Sequence, residues 1–209
     1  MTNAARFIQH TLPELFHRGL AQLDERAQAG SAASRAIADD VRAASGASLV
    51  HIEGAGSYFV CVDAGQMQVV EELPGGMMVR LAVAGPVEGL ELFLRESGEE
   101  ALGDDRAAMG IARLASKRAE TLLAGQTIAM HLVIEDVPEL GDTTLRVGIG
   151  MEEPPAEADF TATVAYDALE EMREKGQNAQ QAFMAGKIRL AGNYAPALSL
   201  AMQLAQPPR

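Results

Sequence analysis

At 209 residues the chain holds one large domain or two small ones, and 48% hydrophobic against 22% charged residues excludes disorder along its whole length. A net charge of −12, with no lysine or arginine cluster to offset it, argues against nucleic acid or an anionic membrane surface as partner. The single cysteine, Cys61, rules out an intrachain disulfide, and Met1–Phe7 lacks a basic-then-apolar leader, so a soluble cytoplasmic protein is expected.

Leu12, Leu15, Phe16, Leu20, Leu23 and Ala27 recur at spacings of three and four and predict an amphipathic helix. Thr11 with Glu14 forms a capping-box pattern at its start, and Gly30-Ser31 ends it. A weaker helix is predicted over Ala32–Ala44. The period then drops to two. Ser48–Glu53, Ser57–Asp63, Gln66–Glu72 and Met77–Ala84, separated by glycine turns, predict an antiparallel meander. Gly85-Pro86 opens a helix with Val87, Leu90, Phe93 and Leu94 on its apolar face, and Gly98–Asp105 is an acidic loop.

Strands are predicted over Ile128–Glu135, Thr144–Met151 and Phe160–Tyr166, the last with strict alternation. A helix capped by Asp167 ends at Gly176. A short helix, Ala179–Ala185, is capped by Asn178. A strand over Lys187–Ala191 and a final helix, Ala195 to about Leu204 with Pro196 in its first turn, complete the pattern. The most apolar stretch, Leu122–Ile134, is too short to span a bilayer and contains Gln126 and His131.

The chain carries an internal similarity. With Gly110 set against Gly186, Arg113, Leu114, Ala115, Ala119 and Leu122 are identical to Arg189, Leu190, Ala191, Ala195 and Leu198. This suggests a tandem duplication of one α+β unit, against chance agreement among segments rich in alanine and leucine. A single helix over Asp105–Leu123 is an alternative to helix–strand–helix there, in which case the first copy has lost a strand that the second keeps. The expected organisation is a helical segment at 1–46, a degenerate unit at 47–125 and a complete unit at 126–205.

Three pieces occur in order: Ala158-Asp-Phe-Thr-Ala-Thr-Val-Ala-Tyr166, then Gln180-Gln-Ala-Phe-Met-Ala-Gly-Lys-Ile-Arg-Leu-Ala-Gly192 followed by Asn193, then a helix rich in alanine, leucine and methionine. Together they resemble the C-terminal half of sterol carrier protein type 2 domains. The resemblance covers Thr127–Leu204 well and Ser48–Leu123 loosely. It implies an α+β fold, an antiparallel sheet with helices on one face and an apolar tunnel between them, here as two related units sharing or abutting sheets. It also implies non-enzymatic binding of a sterol, fatty acyl chain, acyl-CoA, quinone or similar lipid. Carried over, Phe160, Val164, Leu169, Met172, Gln181, Phe183, Met184, Ile188, Leu190, Leu198 and Met202 would border the ligand. The sequence departs from the family pattern in its short, charged connection at Arg173-Glu-Lys175 and in having no tryptophan. Ten methionines suit a pliable apolar lining, as they suit ordinary core filling.

No catalytic set is legible. His10, His17, His51 and His131 have no carboxylate or cysteine at zinc-site spacing, so no metal is expected, and no nucleotide or cofactor loop appears. Cys61, between Val60 and Val62, reads as a small buried hydrophobe. The paired acids Asp39-Asp40, Glu71-Glu72, Glu99-Glu100 and Glu152-Glu153 read as solvated surface. The alternative to a lipid carrier is an interaction module with a filled tunnel, serving a lipid- or quinone-modifying enzyme or forming a homodimer. An enzyme acting on a lipid, with His51 and His131 as its best candidates, is the third reading.

Overall fold

A computed structural model of the chain describes residues 2–96, 105–177 and 179–205. The alternating segments join in one eight-stranded sheet, β1 (Ser45–Glu53), β2 (Gly56–Asp63), β3 (Gln66–Val70), β4 (Val79–Pro86), β5 (Ile128–Val137), β6 (Gly141–Ile149), β7 (Phe160–Ala165) and β8 (Ile188–Gly192). Its order is β3-β2-β1-β4-β6-β5-β7-β8. Five strand pairings are antiparallel. The other two correct the simple meander: β4 runs parallel to β1, and β7 parallel to β5.

The two parallel pairs have a common cause. From the edge strand β3 the chain crosses β2 and β1 before entering β4, and its Leu73 and Met77 pack on Ala47, Leu49 and Cys61. From β6 the chain crosses β5 before entering β7, and Met151 and Pro154 come to rest against Gly148. A parallel neighbour requires such a crossover, because a tight turn returns only an antiparallel strand.

The helices lie on the opposite face. They are α1 (Asn3–Arg6), α2 (Leu12–Gln28), α3 (Ala32–Arg42), α4 (Val87–Glu96), α5 (Asp105–Leu114), α6 (Lys117–Ala124), α7 (Tyr166–Glu174), α8 (Ala179–Met184) and α9 (Ala195–Ala205). Register places Tyr58, Val50, Val83, Val147, Met130 and Phe160 in one transverse row on that helix-covered face. One residue along, Ser57, His51, Ala84, Arg146, His131, Thr161 and Ala191 form a row on the other face. The shift follows from the two-residue period of a strand.

The N-terminal helix begins earlier than the Thr11–Glu14 pattern predicts. Thr2 caps α1 by accepting from the N–H of Ala5, and Thr11 has helical dihedrals with no capping bond. A π-helical turn, Phe7–Thr11, joins α1 to α2, with the Leu12 N–H reaching the Phe7 carbonyl. Pro13 explains the turn: it lacks an N–H and its ring crowds the preceding turn, which the wider π geometry relieves. Asp167 falls inside the first turn of α7, which starts at Tyr166. The expected cap Asn178, the loop residues Gly98–Asp104 and Pro207-Pro208 lie outside the described residues, as do the side chains of Phe93 and Leu94; Asp105, expected in the loop, is the first residue of α5.

Candidate ligand site

The motif residues at 158–192 first build a lock between three strands. The Asp159 carboxylate accepts the Ala129 N–H at 2.8 Å, the Asp159 N–H donates to the Ala129 carbonyl, and the Asp159 carbonyl accepts the Asn193 N–H at 2.8 Å. One residue thus fixes the start of β5 to β7 and the end of β8 to both. Gly192 has φ +97°, and a Cβ there would lie 2.4 Å from the Asp159 carbonyl oxygen. Glycine is the residue that meets both demands.

α7 is tied by charge to Lys187, the residue that leads into β8. Lys187 reaches Glu171 at 2.8 Å and donates to Gln177 at 3.0 Å, while Lys175 pairs with the same Glu171 carboxylate. Hydrogen bonds from Lys175 and Lys187 lower the Glu171 pKa to about 2. The Lys187 N–H also donates to the Ala182 carbonyl, so the chain leaves α8 and enters β8 without slack.

The apolar residues divide into two groups. Phe160 and Val164 are buried in the sheet, while Ile188, Leu190, Leu169 and Met172 are half-buried on β8 and α7. Ile188 touches both the cluster with Val164 and Leu169 and the cluster with Phe160 and Leu200. Phe183, Met184, Leu198 and Met202 are 39%, 78%, 48% and 57% exposed, and Gln181 is exposed beside them. On α9, Leu200 is the buried residue. Two residues along a helix turn about 200°, so Leu198 and Met202 point away from the sheet that Leu200 faces. The structure therefore gathers Phe160, Val164, Leu169, Ile188 and Leu190 under the helices, leaves Met172 half-buried on α7, and displays Phe183, Met184, Leu198 and Met202 on the outside of α8 and α9.

A cavity of about 560 Å³ lies elsewhere, between α1, α4, Tyr166 and the β5–β6 turn. Two of the histidines make structural contacts, while His131 keeps its Nε2 buried without a hydrogen-bond partner. His51 Nδ1 lies 2.9 Å from the Ser57 hydroxyl, and His17 Nε2 accepts the Met67 N–H at 3.3 Å. Burial raises the Cys61 thiol pKa, which disfavours a thiolate. Among the described residues no group of His, Cys, Asp or Glu is arranged to hold a metal ion, and no helix is long and apolar enough to cross a membrane.

Residues 111–206 match the model of the SCP-2 sterol transfer family. The C-terminal part of this chain is similar to the SCP-2 family. A "Fatty acid-binding protein" of Yarrowia lipolytica is 34% identical over 77 residues, 37% of this chain; the chain spans about half of that relative, 54% of its length. A solved structure, "Sterol Carrier Protein 2 from Yarrowia Lipolytica (apo form)", is 25% identical, with 42% of this chain and 73% of the other covered and a TM-score of 0.28. The SCP-2 match takes in α6, β5–β8 and α7–α9, and so contains the Asp159–Gly192 lock and all eleven residues expected to border the ligand.

Proposed function

We propose that this chain binds and carries a lipid-like ligand with an apolar chain, at the surface made by α8, β8 and α9, without performing chemistry on it. The observation that carries the reading is the display of Phe183, Met184, Leu198 and Met202 on the two helices of the SCP-2-related segment, beside a half-buried edge strand. Large apolar side chains exposed on two helices of one segment point to a surface that is covered in use. The name of the Yarrowia relative supports a fatty acyl chain as ligand class.

Covering roughly ten methylenes at about 0.8 kcal/mol each gives about 8 kcal/mol, the scale of a micromolar complex before ordering costs. Affinity of that kind needs few polar contacts, which fits a site whose charged neighbours Glu171, Lys175 and Lys187 are already paired with one another.

Native mass spectrometry tests the reading, on protein as purified and after incubation with a fatty acid, an acyl-CoA, a sterol and a quinone. An added mass that extracts as lipid, and that weakens in L198S/M202S, is the expected result. A clean protein mass after every incubation would overturn it. The same apolar surface would then be the docking face of an accessory module.

A further inference from the structure

The cavity between the N-terminal helix and the β5–β6 turn is separate from the apolar surface of α8 and α9. Its volume, about 560 Å³, falls in the range of small-molecule sites. Its apolar side is made by Phe7, Leu92 and Tyr166. Leu92 is 5% exposed and belongs to the cluster of Ile134 and Val164, so this wall is part of the packed core. The ring of Tyr166 is held by its hydroxyl, 3.0 Å from the Glu170 carboxylate.

The polar side is of one sign. Glu88, Glu91 and Glu139 line the cavity, and no lysine or arginine is among its lining residues. Glu91 is fixed in place, because its Oε1 accepts the N–H of Asn3 at 2.8 Å and of Ala4 at 3.4 Å. Glu88 on α4 and Glu139 in the β5–β6 turn are exposed at the rim. The half-open hollow and the Phe7 and Tyr166 rings that line it make the site; the carboxylates select what enters. An aromatic face attracts a cation through its quadrupole, and a weakly hydrated organic cation gives up little solvation on leaving water.

We propose that this cavity is a second ligand site, separate from the lipid surface, for an organic cation with an apolar body, such as a quaternary ammonium or a protonated amine. The probe is benzyltrimethylammonium, followed by NMR on the full chain, with benzenesulfonate as the anionic control. The expected result is saturable shifts at Leu92, Leu140 and Tyr166 with the cation and none there with the sulfonate. E88Q/E139Q, at two exposed positions, should weaken the cation on the order of tenfold. Absence of saturation at these residues, equal response to both probes, or unchanged affinity in the variant would each overturn the proposal. The signals of Phe183 and Met202 report the lipid surface separately, so failure at either site is read without the other.

Discussion

A single carbonyl decides what residue 192 must be. The φ of +97° alone strains any side chain there, and the Asp159 oxygen leaves no room for one. Gly192→Ala should cost about 2 kcal/mol, from left-handed strain and the forced parting of β7 from β8. Urea denaturation measures this as a lowered midpoint at unchanged slope. A midpoint equal to that of the parent chain would mean that β8 is not held by the lock. The same residues carried the family resemblance in the sequence. Asp159 and Gly192 recur in the pattern with a backbone reason behind each, and that reason concerns strand geometry before it concerns any ligand. Leu198 and Met202 show the opposite case. Their composition and helical setting were legible, but which side of α9 faces the sheet depends on Leu200 winning the buried place, and nothing in Ala-Pro-Ala-Leu-Ser-Leu-Ala-Met ranks the two leucines.

At the scale of elements, two glycines on one helix pair make opposite predictions. α2 and α5 form the most extensive helix–helix contact, and a Cβ on Gly19 would lie 2.1 Å from the Ala108 carbonyl oxygen. Gly110, on α5 itself, has nothing within 4 Å of its would-be Cβ and does not have a positive φ. G19A should lower the melting temperature by on the order of 5 °C, because backbone cannot yield as a side chain can. G110A should raise it by about 2 °C through helix propensity alone. Calorimetry on both variants decides; a shift of the same sign in both would refute the packing argument. Periodicity made most elements legible, including the strict alternation of β7 and the face of α2. It failed where context chose the structure. Arg-Leu-Ala at 113–115 ends a helix, whereas the identical Arg-Leu-Ala at 189–191 is the middle of β8. The second is recruited by an open edge beside β7 and the first has none. The parallel placement of β4 was hidden for a similar reason. Pro74-Gly75-Gly76 reads as a turn, yet the connection from 71 to 78 is long enough to cross two strands, and only the apolar groove over Ala47 and Cys61 tells it to do so.

Across the whole molecule, the absence of a helix–strand–helix at 105–124 has a structural consequence. β8 lies antiparallel beside β7, on the side away from β5. The corresponding place beside β4, on the side away from β1, is taken by β6 from the other half, with Leu81 opposite Ile149 and Ala84 opposite Arg146. We infer that the two halves are related units, and that the first lost its last strand to two successive helices, α5 and α6, separated by the cap at Ser116, and accepted β6 in its place. Had both units kept that strand, each sheet would have closed its own edge. Fused this way, neither half has a complete sheet without the other: β4 and β6 would each expose a row of unpaired backbone groups. The first unit's helix-side surface is also filled, since Phe16, Leu20 and Leu23 of α2 share one core with Met109 and Ala112 of α5 and with Ile52 and Val60 of the sheet. From that filling we infer that the lipid site proposed above lies in the second unit and has no counterpart in the first. The sheet arrangement also predicts a single unfolding transition. Tyr58 on β2 and Tyr194 before α9 sit in opposite halves, and their ring signals should vanish at the same urea concentration. Loss of Tyr194 at a clearly lower concentration than Tyr58 would show that the β4–β6 joint transmits no cooperativity, and the halves would then be two domains that merely touch.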